Sequence, residues 1–174
     1  MSRIKHAINS PLSIVWVEMV GKLVINFGVL EFETYLWLVQ LSEATERIPE
    51  FTKLRFGQRV KKITEYIESH SYSDTWKEES QKCWIEASER AKFRNKIVHN
   101  PLTFGWNGER QEGEPDFIGI PDLQRPDSSP NPLVSKTEMN EVINSIVSLV
   151  TKLKNLRIEW CSIRDAMDES GQET

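Results

Sequence analysis

The chain is short of cysteine, of unbroken apolar runs and of net basic charge, and each shortage removes a class of function. Cys83 and Cys161 are its only two cysteines. They are far apart and match no metal-ligand or redox spacing, so reduced, buried thiols are expected rather than a disulfide framework or a zinc site. Glu18, Lys22, Glu31 and Glu33 interrupt the apolar stretch behind the basic start Met1-Ser2-Arg3-Ile4-Lys5-His6. That argues against a signal peptide or a membrane span, and with so few cysteines it points to a reducing cytoplasm. A formal net charge of −4 excludes a uniformly basic nucleic-acid binder but leaves room for a basic patch. Glycine-rich phosphate loops, metal-ligand clusters and internal repeats are missing from the sequence, so neither a cofactor nor a metal is expected.

What is present is a chain of 174 residues, 39% apolar and 28% charged, which suits one globular domain. The domain is expected over 1–166, with an acidic, disordered tail at 167–174. Ser10-Pro11 reads as an N-cap with proline at the first helical position. From Ile14 to Leu41 the first helix is apolar on more than one face, with Trp16, Val20, Leu23, Phe27, Leu30, Trp37 and Leu41 among its core candidates, so it must be buried on several sides. Gly21 and Gly28, seven apart, share nearly one face and would admit either a core helix or a subunit partner. Thr52 is expected to cap a second helix with the stripe Phe56, Val60, Ile63 and Ile67. Its first half is basic through Lys53, Arg55, Arg59, Lys61 and Lys62, which reads as a solvated face or as a surface for RNA phosphates.

A third helix should start at Ser73 or Asp74 and run to about Asn100, where Pro101 enforces the stop, with the stripe Trp76, Ser80, Cys83, Ala87 and Ala91. Ser135-Lys136-Thr137-Glu138 is a capping box for a fourth helix. That helix carries Met139, Ile143, Ile146, Val150, Leu153 and Trp160, and should end before Asp165. Between the third and fourth helices, residues 101–132 hold six of the eight prolines and four of the eight glycines. In this insertion, about 101–134, Leu102-Thr103-Phe104 and Asp116-Phe117-Ile118-Gly119-Ile120 are spaced either to pair as a small β-hairpin or to pack as a loop. The fold class is therefore all-α, a bundle of four or five long helices with a Pro/Gly-rich insertion.

One helical turn concentrates the chemistry. At 100° per residue Arg94 falls in the middle of the Ala87–Ala91 stripe. A guanidinium cannot discharge itself by losing a proton, so there it needs an acceptor, a wet cleft or an anionic ligand. Asn95 and His99 are four apart, close enough for a side-chain bond that would fix the imidazole tautomer. Arg94 and His99 point about 140° apart around the helix, so they converge only through the reach of Arg94, by unwinding near Pro101, or through a second copy of the chain. Between Lys82 and His99 five bases (Lys82, Arg90, Lys92, Arg94, Lys96) face two acids (Glu86, Glu89). The bland alternative is a histidine favourably placed at a helix C-terminus and an arginine bonded to loose carbonyls or a glutamate.

Arg94-Asn95-Lys96-Ile97-Val98-His99 resembles the Arg-polar-x-x-x-His signature of HEPN domains, helical bundles that include many metal-independent RNases of toxin–antitoxin and phage-defence systems. The long apolar first helix, the motif at the end of a later helix, the insertion and the final amphipathic helix are similar to the family's arrangement. The resemblance implies a homodimer whose two protomers set their Arg94 and His99 across one cleft. His99 would act as base toward an RNA 2′-hydroxyl, Arg94 would stabilise the phosphorane, and Asn95 would orient one of them. RNA would be the substrate, held by Lys61, Lys62, Lys92 and Lys96. DNA would not be cut, and a cognate antitoxin or nucleotidyltransferase would be the partner. Some family members that pair with nucleotidyltransferase antitoxins carry a tyrosine two residues after the histidine; Pro101 stands there, which argues against regulation by modification of that residue. A non-catalytic module of the same fold, binding a nucleotide, RNA or a protein through Arg94, is the other reading.

Overall fold

A computed structural model describes residues 14–42, 47–100, 102–105, 115–120 and 133–171. The elements follow the order α1 (Ile14–Ser42), α2 (Ile48–Phe51), α3 (Phe56–Ser69), α4 (Asp74–His99), β1 (Thr103–Gly105), β2 (Phe117–Gly119), β3 (Leu133–Ser135) and α5 (Lys136–Gly171). The protein is predominantly helical, with one small antiparallel sheet in the order β1-β2-β3. The Ser10-Pro11 start, most of the insertion and residues 172–174 lie outside the described residues. No described helix is long and apolar enough to cross a membrane.

The chain divides into two compact units, residues 1–27 with 90–145 and residues 28–89 with 146–174. In the second, tryptophans dominate. Trp37 stacks on Trp76 at 5.7 Å and meets Trp84 edge-on at 5.6 Å, while Trp76 stacks on Trp160 at 5.5 Å. The indole N–H groups of Trp37 and Trp76 donate to the carbonyls of Leu153 and Leu156, whereas those of Trp84 and Trp160 are buried with no hydrogen-bond partner. Arg157 donates to Glu33 at 3.0 Å and to Gln40 at 3.1 Å. Val60, Ile63 and Ile67 turn the buried stripe of α3 inward, with Phe56 half-buried at its start.

In the first unit, Phe104 pairs with Ile118, and Ile118 with Val134. Ile118 and Val134 are buried, as are Met19, Leu23 and Phe27 of α1 and Met139, Val142 and Ile143 of α5. The indole of Trp16 donates to the Pro115 carbonyl at 3.0 Å. The Ser135 hydroxyl accepts the Glu138 N–H at 3.1 Å, which starts α5 where the capping box placed it.

Several expectations need correction. Thr52 caps no helix start: Pro49 opens the single turn of α2, and Thr52 closes that turn with its hydroxyl on the Pro49 carbonyl. Helix α3 begins after Arg55, whose N–H is taken by the Gln58 side chain at 2.9 Å. Arg59 is not on a solvated or RNA-facing surface but is buried among α1 side chains. Helix α1 is buried on one side only, and Val20 is half-buried. Helix α5 passes Asp165 and ends at Gly171, because nothing between them breaks a helix. The third strand, β3, was not expected. Both cysteines are free thiols; Cys83 is buried, which pushes its pKa up and leaves it inert, whereas Cys161 is only half-buried.

Candidate functional site

The last three turns of α4 carry the site, and all of it lies within the first unit. Ala87, Ala91 and Ile97 are buried, which fixes the rotation of α4. At the Arg94 position this rotation sets a long side chain against α1, where the guanidinium lies over the Phe27 ring, 5.4 Å from its centroid. A cation over an aromatic face is stabilised by the ring quadrupole, and Phe27 itself is buried, so the platform is rigid.

The hydrogen-bond account of Arg94 is incomplete. Its Nη1 donates to Asn95 Oδ1 at 3.0 Å. Its Nε is buried and has no hydrogen-bond partner, and among the described residues no carboxylate pairs with this cation. Burying a donor of a charged group without an acceptor is costly, so such an atom is a standing demand for an anion or a water. Among the described residues, neither the glutamate nor the loose carbonyls that the bland alternative offered to Arg94 is bonded to it. Elsewhere the same chain satisfies a buried arginine fully: Arg59 reaches Glu31, Thr34, Tyr35 and the Leu54 carbonyl at once.

Asn95 is exposed and does not hold His99 as expected; its carbonyl oxygen is occupied by Arg94. The reason is charge. The Arg94 guanidinium reaches the Asn95 oxygen through Nη1, and a charge-assisted bond outcompetes a neutral one. His99 is the last residue of α4 and is exposed. The helix stays regular to that point, so unwinding does not bring His99 to Arg94. Beyond it, Asn100 donates to the Lys96 carbonyl at 2.9 Å and closes the helix end.

Lys92 and Lys96 are exposed on the same stretch as the motif and surround it with positive charge. Lys61 and Lys62 belong to the second unit. Lys61 lies 3.8 Å from Glu65, and the ammonium of Lys62 sits over the Tyr66 ring. Phe27 is the functional contact that sequence reading missed, because one phenylalanine in an apolar helix gives no sign that its ring will face a cation. Among the described residues, no group of three His, Cys, Asp or Glu side chains is arranged to hold a metal ion. No family model, no curated protein and no solved structure matches this chain.

Proposed function

We propose that the chain is a metal-independent endoribonuclease of HEPN type, in the manner of a toxin or phage-defence enzyme, acting as a homodimer with RNA as substrate. One observation carries the reading: Arg94 has a buried, unpartnered Nε beside an Nη1 held by Asn95, and among the described residues no carboxylate pairs with it. A phosphate supplies the missing acceptors, and a guanidinium fork suits it in geometry as well as charge.

In this mechanism His99 takes the proton of the 2′-hydroxyl, and the freed oxygen attacks the adjacent phosphorus. The P–O5′ bond breaks, the 5′-oxygen takes a proton from an imidazolium or from water, and a 2′,3′-cyclic phosphate remains. Arg94 neutralises the charge that accumulates on the phosphorane. Because Arg94 and His99 are about 140° apart around α4, two copies of the helix are needed to place both on one phosphate. Deoxyribose lacks the nucleophile, so DNA is not cut. A cognate antitoxin, a nucleotidyltransferase among them, would restrain such an enzyme.

The test is purified protein in excess EDTA on single-stranded RNA, with the new ends identified chemically. Cyclic phosphate ends are expected, and His99→Ala should lose about 10²–10⁴-fold in rate, the usual contribution of general base catalysis. Arg94→Ala should lose comparably, with circular dichroism confirming that each variant folds. Wild-type turnover by His99→Ala would sink the mechanism. The occupied Asn95 oxygen, which leaves the imidazole without the bond that would fix its tautomer, favours a second reading: a non-catalytic module that clamps an RNA or nucleotide phosphate with Arg94. Binding lost in Arg94→Ala, without cleavage by the wild-type chain, would select it.

A further inference from the structure

We propose that the exposed apolar face of α1 is a docking surface for α1 of a second copy, the helices crossing antiparallel about a two-fold axis between Val24 and Ile25. Away from its core side, α1 presents Ile14, Val17, Gly21, Val24, Ile25, Gly28 and Phe32 within about 100° of arc. Ile14 is 63% exposed, Val17 60%, Ile25 70% and Phe32 58%. A contiguous apolar strip of this length is unusual on a monomer and marks an interface.

Two glycines lie near its midline. Among the described residues, nothing stands within 4 Å of where a Cβ would be at Gly21 or Gly28. No described neighbour, then, requires either to be small, although each weakens the helix relative to alanine. A second helix supplies the reason, since missing side chains let two backbones approach closely.

The arrangement of the strip identifies the occupant. The midpoint between Val24 and Ile25 is equidistant from Gly21 and Gly28, and also from Val17 and Phe32. An antiparallel copy therefore sets glycine against glycine and apolar side chain against apolar side chain. An isologous interface requires this self-complementarity, and a foreign partner has no need of it. The flanking charges are already paired within the chain: Lys22 holds Glu18 at 2.7 Å, and Arg59 holds Glu31. Exposed surface on these side chains is on the order of several hundred Å² per copy, near the roughly 800 Å² per partner of a standard interface. The placement rests on the homodimer of the proposed function, although that function needs a dimer and not this face in particular.

Sedimentation velocity at low micromolar concentration should give a dimer for the wild-type chain. Gly21→Leu/Gly28→Leu should weaken it at least tenfold, with helical circular dichroism and melting temperature retained, because both positions are open in the single chain. Orientation is read by crosslinking in a Cys161→Ser background. Val17→Cys protein mixed with Phe32→Cys protein should form a disulfide-linked pair, and Val17→Cys alone should not. A monomeric wild-type chain, a dimer indifferent to the leucines, or self-linking of Val17→Cys overturns the proposal. RNA cleavage by a dimer indifferent to the leucines would reject this face and leave the ribonuclease reading standing; a leucine-sensitive dimer that cuts no RNA would do the reverse.

Discussion

Arg59 and Arg94 are both arginines inside helical stripes, yet only one is an unmet demand. Arg59 spends its donors on Thr34, Tyr35, Glu31 and the Leu54 carbonyl and lies 4.3 Å from the Tyr35 ring centroid. That is a structural cation. Replacing Arg59 by lysine keeps the charge but loses the fork, and about 2–3 kcal/mol of stability should go with the bonds to Glu31 and its neighbours. Urea denaturation of Arg59→Lys measures this, and an unchanged midpoint would show the network to be incidental. The sequence misassigned Arg59 because charge runs are read along the chain, whereas its side-chain acceptors come from α1, more than twenty residues earlier. Arg94 was readable as an anomaly because its interruption of the Ala87–Ala91 stripe is a local, periodic fact. Its Phe27 platform was not, because which ring meets a cation is decided by packing between helices.

At the scale of elements, two serine caps marked helix starts correctly, whereas the Thr52 cap and the expected end of α5 before Asp165 failed. Ser73 and Ser135 each bond the N–H three residues on, and α4 and α5 start accordingly. The sheet shows the limit: β1 and β2 were visible as two short apolar runs, but β3 is three residues long and gains its meaning only from pairing with β2. Pairing also gives Gly105 its role. It faces Phe117 across the β1–β2 ladder, and the Phe117 ring occupies the space that a Cβ at Gly105 would need. Gly105→Ala should therefore destabilise the first unit by about 1–3 kcal/mol, the usual cost of overpacking, despite alanine's lower entropy cost. Hydrogen exchange of the β1 and β2 amides is the sensitive readout. Phe117→Leu in the same chain should recover part of the loss, and a neutral Gly105→Ala would show that the ring simply moves aside.

Taken as a whole, the molecule carries a net charge of −4, so a polyanionic substrate is repelled at long range and must be held by a local field. Helix content was legible from composition and periodicity; the division into two units was not, because it depends on contacts between residues far apart in sequence. Lys92 and Lys96 share the first unit with Arg94, whereas Lys61 and Lys62 belong to the second. The affinity of the inactive His99→Ala protein for a fluorescent oligoribonucleotide should have a shallow salt dependence, since each single-stranded phosphate contact contributes only about −0.7 to the slope of log K against log salt. Lys92→Gln/Lys96→Gln should remove about 1–1.5 from that slope. Lys61→Gln/Lys62→Gln is the comparison pair, the charge of Lys61 lying 3.8 Å from Glu65. With an otherwise active chain at saturating RNA, the first pair should leave turnover largely intact, because attraction to phosphate acts before the chemical step. A slope unaffected by Lys92→Gln/Lys96→Gln would mean that RNA does not approach along the end of α4, and the phosphate reading of Arg94 would fall with it.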